Sequence, residues 1–287
     1  PVGVVLTHAN IRRFVLWANE HFGVVPGDRH LLQDALSADV STYAMVGALA
    51  AGASLYPVST DVARTPARLL EFVREAGLTL WLSSAQTMSA MTQFDLILPG
   101  DLPSVRHVVW QQRDSPRPAD IQHWLTRLRH VRFTALYGPV EATIASSYHT
   151  MLHRSDGEGL RLPIGRSRTD VGVTVLDADL RPVAPGQIGE ICITGAGLGP
   201  GYWRDPERTR TAFVRSQPAG DATARTFRTG DLGLVGLDGL IHAAGTIETV
   251  VHTNGQSFEV GEIEAALAGL GTVQAAAVVT AGCDEAG

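Results

Sequence analysis

Residues 107–143 read HVVWQQRDSPRPADIQHWLTRLRHVRFTALYGPVEAT, and this stretch decides the fold. Its first five residues, from His107 to Gln111, form a short apolar run that reads as a strand. Over 119–130, Ile121, Trp124, Leu125 and Leu128 recur on one side at helical spacing. Residues 133–136 read as a second strand, closed by Tyr137-Gly138-Pro139. Two strands with a helix between them need a crossover, so they are expected parallel in one sheet. The same alternation runs back towards the N-terminus. Thr7 is placed to cap a helix whose apolar face is Ile11, Phe14, Val15, Ala18 and Phe22. Residues 30–36 read as a strand. Ser41 is expected to cap a helix that runs to Ala51 and stops at Gly52. A short strand over 54–58 precedes a helix with Pro66 in its first turn, Leu69, Leu70, Val73 and Ala76 on its apolar side, and Gly77 at its end. Residues 78–82 then read as a strand.

After about residue 155 the pattern changes. Segments 171–176, 188–194 and 234–243 read as short strands divided by turns such as Pro185-Gly186 and Asp238-Gly239. A helix over 261–268 and a strand over 273–280 are expected to begin a further unit. The expected class is α/β, a parallel βαβ sheet followed by a β-rich part.

The 287 residues carry 23 basic and 29 acidic side chains, a formal net charge of −6. With 45% hydrophobic and 18% charged residues the chain can bury a core and is not a disordered one. An acidic balance argues against nucleic-acid binding, which needs a positive field. All 23 basic residues are Arg, so chemistry that needs a lysine ammonium must take it from elsewhere. Cys192 and Cys283 give neither a disulfide framework nor metal spacing, so a reducing, cytoplasmic compartment is expected. The most apolar stretch, 43–58, is too short for a bilayer and is broken by Gly47, Gly52 and Ser54, so no membrane partner is expected. The chain starts at Pro1 and its last residues read as an interrupted domain, so a fragment of something larger is expected.

Four segments can carry chemistry. In Tyr137-Gly138-Pro139-Val140-Glu141-Ala142-Thr143 an aromatic, a Gly-Pro turn and an acid follow a strand, at the edge where open α/β sheets take ligands. Tyr137 can stack on a flat ring and Glu141 can hold Mg²⁺ through a hard oxygen; the alternative is a turn with a solvated Glu. Arg228-Thr229-Gly230-Asp231-Leu232 offers a carboxylate to a ribose, or is an ordinary Asx-type turn. Residues 189–202 do not fit G-x-G-x-x-G, because Pro200 takes the last glycine position, and read as a strand entering an irregular loop. Asp39, between an apolar strand and an apolar helix, is either a helix-capping acid or a buried carboxylate awaiting a cation.

In order and spacing these four segments resemble the adenylation domains of nonribosomal peptide synthetases, within the adenylate-forming superfamily. Residues 2–8 resemble the segment after that family's phosphate loop, 180–190 the peptide-synthetase branch, and 261–264 the start of the small C-terminal subdomain. The resemblance implies an adenylation core over 1–247, with a βαβ part over 1–155 and a β-rich, distorted-barrel part over 156–247. It implies a hinge and the beginning of an α+β subdomain over 248–287. Such domains activate a carboxylic acid with ATP and Mg²⁺, release pyrophosphate, hold an acyl-adenylate, and pass the acyl group to a phosphopantetheine thiol on a carrier domain. The resemblance gives Tyr137 and Gly138 to the nucleotide, Glu141 to Mg²⁺, Asp231 to the ribose, Asp39 to the substrate ammonium and Glu248 to the hinge. It lines the substrate pocket with Val40, Tyr43, Leu82, Val109, Gln111, Leu136, Ile144 and Ala145. That lining suits a hydrophobic amino acid, with Gln111 offering one polar contact. It also implies condensation and carrier domains as neighbours, and admits a small helper protein on the core.

The departures from the family pattern cluster on phosphate contacts. Val2 stands where Lys is usual, Ala135 where Asn is, Val140 where Thr is, and Thr246 where Arg is. Glu248 replaces the hinge Asp, and His252 and Asn254 stand where basic residues are common. The phosphate loop and the catalytic lysine of the family would lie outside residues 1–287. The expectation is therefore an adenylation domain with weak or no activity that acts as a scaffold. The alternatives are an active domain for a hydrophobic amino acid and a fatty acyl-AMP ligase, the latter leaving Asp39 without a role.

Overall fold

A computed structural model describes residues 2–33, 36, 38–112, 115–152, 162–215, 225–247, 250–253, 256–259, 267 and 278. Contacts divide the chain into two units, Pro1–Val173 with Ile193–Phe227, and Thr174–Cys192 with Arg228–Gly287.

The first unit opens with strand β1 (Val4–Val5) and helix α1 (His8–Phe22). Thr7 caps α1 in a capping box with Asn10, and Gly23 ends it in the left-handed conformation. The Asn10 side chain does more than close the box. Its Oδ1 accepts from the Thr7 amide and hydroxyl, while its Nδ2 donates to the carbonyls of Ala196 and Leu198 at 3.1 Å each.

Strand β2 (Arg29–Leu32), helix α2 (Asp39–Ala51), strand β3 (Ser54–Pro57) and helices α3 (Thr60–Ala63) and α4 (Pro66–Glu75) follow. Next come β4 (Leu80–Leu82), α5 (Ala85–Gln93), β5 (His107–Gln111), α6 (Pro118–Arg127), β6 (Arg132–Tyr137), β7 (Ser147–Met151) and β8 (Arg166–Ser167). These strands build one seven-stranded sheet in the order β3-β2-β4-β5-β6-β7-β8. From β3 to β6 every pair is parallel; β7 and β8 add antiparallel partners.

Several expected elements are shorter than the sequence pattern. The strand over 30–36 ends at Leu32, and that over 78–82 keeps only Leu80–Leu82. The helix over 119–130 starts at Pro118, which needs no amide partner in a first turn, and ends at Arg127. Ser41 does not cap α2: the helix begins at Asp39, and the Ser41 hydroxyl sits one turn in, donating to the Ala38 carbonyl at 2.6 Å.

Strand alternation divides the buried residues between the two faces of the sheet. Trp81, Val108, Trp110, Phe133 and Ala135 pack with Leu69, Leu70 and Val73 of α4, Met88 and Met91 of α5, and Ile121, Trp124 and Leu125 of α6. Leu80, Leu82, Val109 and Leu136 pack with Phe14, Val15, Ala18 and Phe22 of α1 and with Tyr43 and Ala44 of α2. The sheet is therefore covered on both sides, as parallel sheets require.

Later elements begin with β9 (Val171–Leu176), β10 (Gly189–Gly195), β11 (Gly201–Tyr202), α7 (Pro206–Ala212) and β12 (Phe213–Arg215). Strands β13 (Arg225–Val235), β14 (Ile241–Thr246), β15 (Val250–Thr253) and β16 (Gln256–Glu259) complete them. In the first unit β11 pairs with β1, and β12 pairs antiparallel with the start of β13. In the second unit the rest of β13 forms a hairpin with β14 around Asp238-Gly239, and β15 pairs with β16. Cys192 is buried in β10, and burial pushes its thiol up to about 12. No helix among the described residues is long and apolar enough to cross a membrane. Glu248, Asn254 and Cys283 lie outside the described residues, as do the expected helix over 261–268 and strand over 273–280, apart from single residues 267 and 278.

The α1 side of the sheet also buries His107, whose ring meets Phe22 edge-on at 5.3 Å between centroids. Burial, helped by Arg106 and Arg132, pushes its pKa down to about 4. An unfolded chain binds a proton at this residue near pH 6.5. Between about 6.5 and 4 the folded state binds fewer protons, so stability is lost as pH falls through that window. Urea unfolding at pH 7 and pH 5 should give a loss of about 1–2 kcal/mol from this group. His107→Leu should remove that part of the slope; an unchanged slope would assign the acid sensitivity elsewhere.

Candidate active site

A cavity of about 240 Å³ opens at the carboxyl ends of β4, β5 and β6 in the first unit. Register sets this position: Leu82 at the end of β4 pairs with Val109 within β5, and Gln111 at the end of β5 pairs with Leu136 of β6, so each parallel strand reaches further than the one before it. Ligands bind open α/β sheets at such ends, beyond the last backbone hydrogen bonds. The wall is Val40, Leu82, Ser83, Ser84, Ala85, Gln86, Val109, Trp110, Gln111 and Leu136. Five residues expected in a substrate pocket, Val40, Leu82, Val109, Gln111 and Leu136, are thus brought together. Tyr43, Ile144 and Ala145 are placed one layer further in, fully covered, within the apolar cluster that backs the cavity. Tyr43 meets Phe14 edge-on at 5.5 Å and donates its hydroxyl to Asn19 Oδ1 at 3.2 Å.

Asp39 is the first residue of α2, where a carboxylate meets the positive end of the helix dipole. Its Oδ1 accepts from the Val40 amide at 2.8 Å and from Gln111 Nε2 at 3.1 Å. The side chain is half-buried, and desolvation raises its pKa despite these two donors. Ala38, not Asp39, is the N-cap of α2, and no side chain caps the helix there, so the helix-capping reading of Asp39 does not hold.

The segment after β6 is held from several sides. Gly138 is required there, because a Cβ would come within 2.6 Å of the Ser146 amide nitrogen and 2.7 Å of Ala145 Cα. A 3-10 turn over Val140–Ala142 leads to Thr143 and Ile144, both in the left-handed region with φ of 62° and 67°. That conformation is strained for two β-branched residues and survives only where the surroundings impose it. Thr143 Oγ1 donates to the Gly197 carbonyl at 2.6 Å, and the Gly199 amide donates to the Glu141 carbonyl at 2.8 Å. Residues 195–201, expected as an irregular loop, thus form the other wall of this turn. Tyr202 donates its hydroxyl to Glu141 Oε1 at 2.8 Å. Tyr137 is buried at the end of β6, while Val140 leaves 38% of its surface exposed. One carboxylate held by a neutral hydroxyl suits Mg²⁺, which is commonly bound through one or two carboxylates together with substrate phosphates.

Asp231 belongs to the second unit. The segment Arg228–Leu232 is not an Asx-type turn but part of β13. Arg228 grips Glu190 through Nε at 2.8 Å and Nη2 at 2.7 Å, and Thr229 Oγ1 donates to the Ile191 carbonyl at 2.6 Å. Gly230, at φ 76°, donates its amide to Glu190 Oε1, and Asp231 stands across from Thr246 of β14.

The sequence reading missed Ser83, Ser84, Ala85, Gln86 and Trp110, although strand-end position was the available signal. It also missed Arg168, whose side chain is wholly buried over the rings of Phe14 at 5.3 Å and Trp17 at 5.7 Å. Its counter-charge is Asp170, at 3.5 Å from Nε, and no guanidinium nitrogen has a hydrogen-bond partner among the described residues.

A family model described as AMP-binding enzyme matches residues 1–203. Tyrocidine synthase 2 of Brevibacillus parabrevis is 32% identical over 280 residues, covering 98% of this chain and 7% of its own length. Pyochelin synthetase PchF of Pseudomonas aeruginosa is 36% identical over 285 residues, covering 98% of this chain and 15% of its own. The chain therefore spans a small part of these curated relatives. The adenylation domain AlmE of Vibrio cholerae, solved with glycyl-adenosine-5'-phosphate, superposes with a TM-score of 0.75 over 98% of this chain and 52% of its own, at 24% identity, a likeness of fold.

Replacing a poorly satisfied buried ion pair by packing is often neutral or stabilising. Arg168→Met and Asp170→Ala together are expected to leave urea stability unchanged or to raise it by about 1–2 kcal/mol, and Asp170→Ala alone to lower it by about 3–5 kcal/mol. A loss in the double variant would show that the pair contributes net stability.

Proposed function

Because the chain belongs to the AMP-binding enzyme family, we propose that it is an adenylation domain of a nonribosomal peptide synthetase that keeps its acid-recognition cavity, holds a triphosphate weakly, and serves chiefly as a scaffold for neighbouring domains. One observation carries this reading: within a single turn, Gly138 is fixed by close backbone packing and Thr143 and Glu141 by hydrogen bonds, whereas Val140 presents bare hydrocarbon to solvent. An exposed Val cannot give a phosphate oxygen the hydrogen bond that a Thr hydroxyl would give. Val2, 49% exposed, and Thr246 extend the same loss of donors and positive charge.

In the family reaction the residues of this chain position rather than transfer covalently. Asp39 takes the ammonium of the acid, and Val40, Leu82, Val109 and Leu136 hold its apolar side chain. Tyr137 packs on the adenine. Glu141 would hold Mg²⁺, which when bound neutralises phosphate charge. Each missing phosphate contact costs about 1–3 kcal/mol, so three or four slow adenylation by several orders of magnitude. The neighbours are a condensation domain and a carrier domain whose phosphopantetheine thiol is the family's acyl acceptor. A second reading, a working domain for a hydrophobic amino acid, is favoured by the apolar cavity with one carboxylate at its edge.

ATP–pyrophosphate exchange with a panel of hydrophobic amino acids separates the two. The scaffold reading expects no amino-acid-dependent exchange and no rise in melting temperature with ATP and Mg²⁺. Exchange that Asp39→Ala abolishes would overturn it in favour of the second reading. Val2→Lys, Val140→Thr and Thr246→Arg combined should raise ATP affinity at least about tenfold, one recovered hydrogen bond being enough for that. No gain would remove lost phosphate contacts as the cause.

A further inference from the structure

We propose that Gln111 is the positioning residue for Asp39, locking its carboxylate in place at the cavity edge so that a ligand's ammonium meets an ionised, pre-oriented oxygen. This rests on the reading of the cavity as the site for an amino acid. Gln111 ends β5 and belongs to the cavity wall, while Asp39 begins α2. Gln111 spans the gap between them with one carboxamide: Nε2 donates to Asp39 Oδ1 at 3.1 Å and, more weakly, to the Ile144 carbonyl at 3.5 Å.

With both hydrogens of Nε2 directed at acceptors, the amide has one orientation. The Val40 amide bond falls on the same Oδ1, so a cation can be taken on Oδ2 without breaking either bond. Among the described residues, no charged side chain contributes to the titration of Asp39; what acts on it is burial, the first amides of its own helix, and Gln111 from the facing strand. Burial favours the protonated acid, and only hydrogen bonds oppose it. Removing the Gln111 donor therefore unlocks the side chain and lets the carboxylate take up a proton at higher pH. A carboxylate that has done so no longer attracts an ammonium ion.

The test uses the full chain labelled with ¹³C-aspartate, the Asp39 carboxyl signal being assigned with Asp39→Asn. Gln111→Met should raise the Asp39 midpoint by about one pH unit, the size of a lost charge-assisted hydrogen bond. Gln111→Glu, which keeps the side-chain length and adds a like charge, should raise it further, and serves if the Met variant does not fold. Calorimetric titration with L-leucine and with 4-methylpentanoate, which lacks only the ammonium, supplies the second readout. The wild type should prefer L-leucine. Gln111→Met should reduce the ratio of L-leucine to 4-methylpentanoate affinity, by up to about tenfold at pH values at or below the wild-type Asp39 midpoint.

An unchanged Asp39 midpoint, or an unchanged preference, overturns the role of Gln111 while a preference lost in Asp39→Asn keeps the amino-acid reading standing. If the wild type binds neither compound, or Asp39→Asn leaves the preference intact, the amino-acid reading falls and the proposal with it.

Discussion

The parallel register of β4, β5 and β6 is the constraint on which the site depends. Because Leu80 pairs with His107 and His107 with Arg132, the three strands start level, and β5 and β6 run on past the end of β4, to Gln111 and Tyr137. Alternation then sends Trp81, Trp110 and Ala135 to one face and Leu82, Val109 and Leu136 to the other. The apolar lining of the cavity comes from Leu82, Val109 and Leu136 of that second set, joined by Val40 and by Trp110 of the first. A one-residue slip in any of the three would turn Leu82, Val109 or Leu136 away and bring a residue of the other face to the cavity. The polar groups of the wall are Gln111, the last residue of β5, Ser83 and Ser84 after β4, and Gln86 of α5, while Asp39, at the start of α2, is joined to the wall through its hydrogen bond with Gln111.

The turn after β6 works differently. Its backbone is strained at Thr143 and Ile144, and it keeps its shape because three separate bonds, from Thr143, Gly199 and Tyr202, anchor it to residues 197–202. The framework that would present a nucleotide-binding segment is thus built and satisfied without any donor at position 140. Under the function proposed above, folding and phosphate contact fall to different atoms of the same turn, so the second can erode while the first persists.

Much of the layout was legible in the sequence because it rests on periodicity and on backbone requirements. The apolar stripe of α1, the glycine closing α2, Pro66 at the start of α4 and the run His107–Gln111 each have a local cause that needs no tertiary information. Helix α5 escaped because it buries only Met88 and Met91 and shows no stripe, and β7, Ser-Tyr-His-Thr-Met, lacks the apolar run of a central strand. Asp39, Val40, Leu82, Val109, Gln111 and Leu136 were found by likeness to a family pattern. The hydrogen bond joining Asp39 to Gln111 was not, since it spans 72 residues and depends on register. Arg168 was equally invisible: nothing local tells a buried guanidinium from a solvated one.

The carboxamide of Asn10 joins two pieces of chain that are 186 residues apart. Its oxygen closes the entrance of α1 and its nitrogen holds the carbonyls of residues 196 and 198, leaving it no spare hydrogen. The glycine-rich loop and the opening turn of the first helix are therefore latched by one planar group. Whatever lifts the loop tugs on the latch, and the helix entrance frays with it. A disturbance arising at the loop would reach α1 through this rigid amide as well as through the β1–β11 pairing just before the helix.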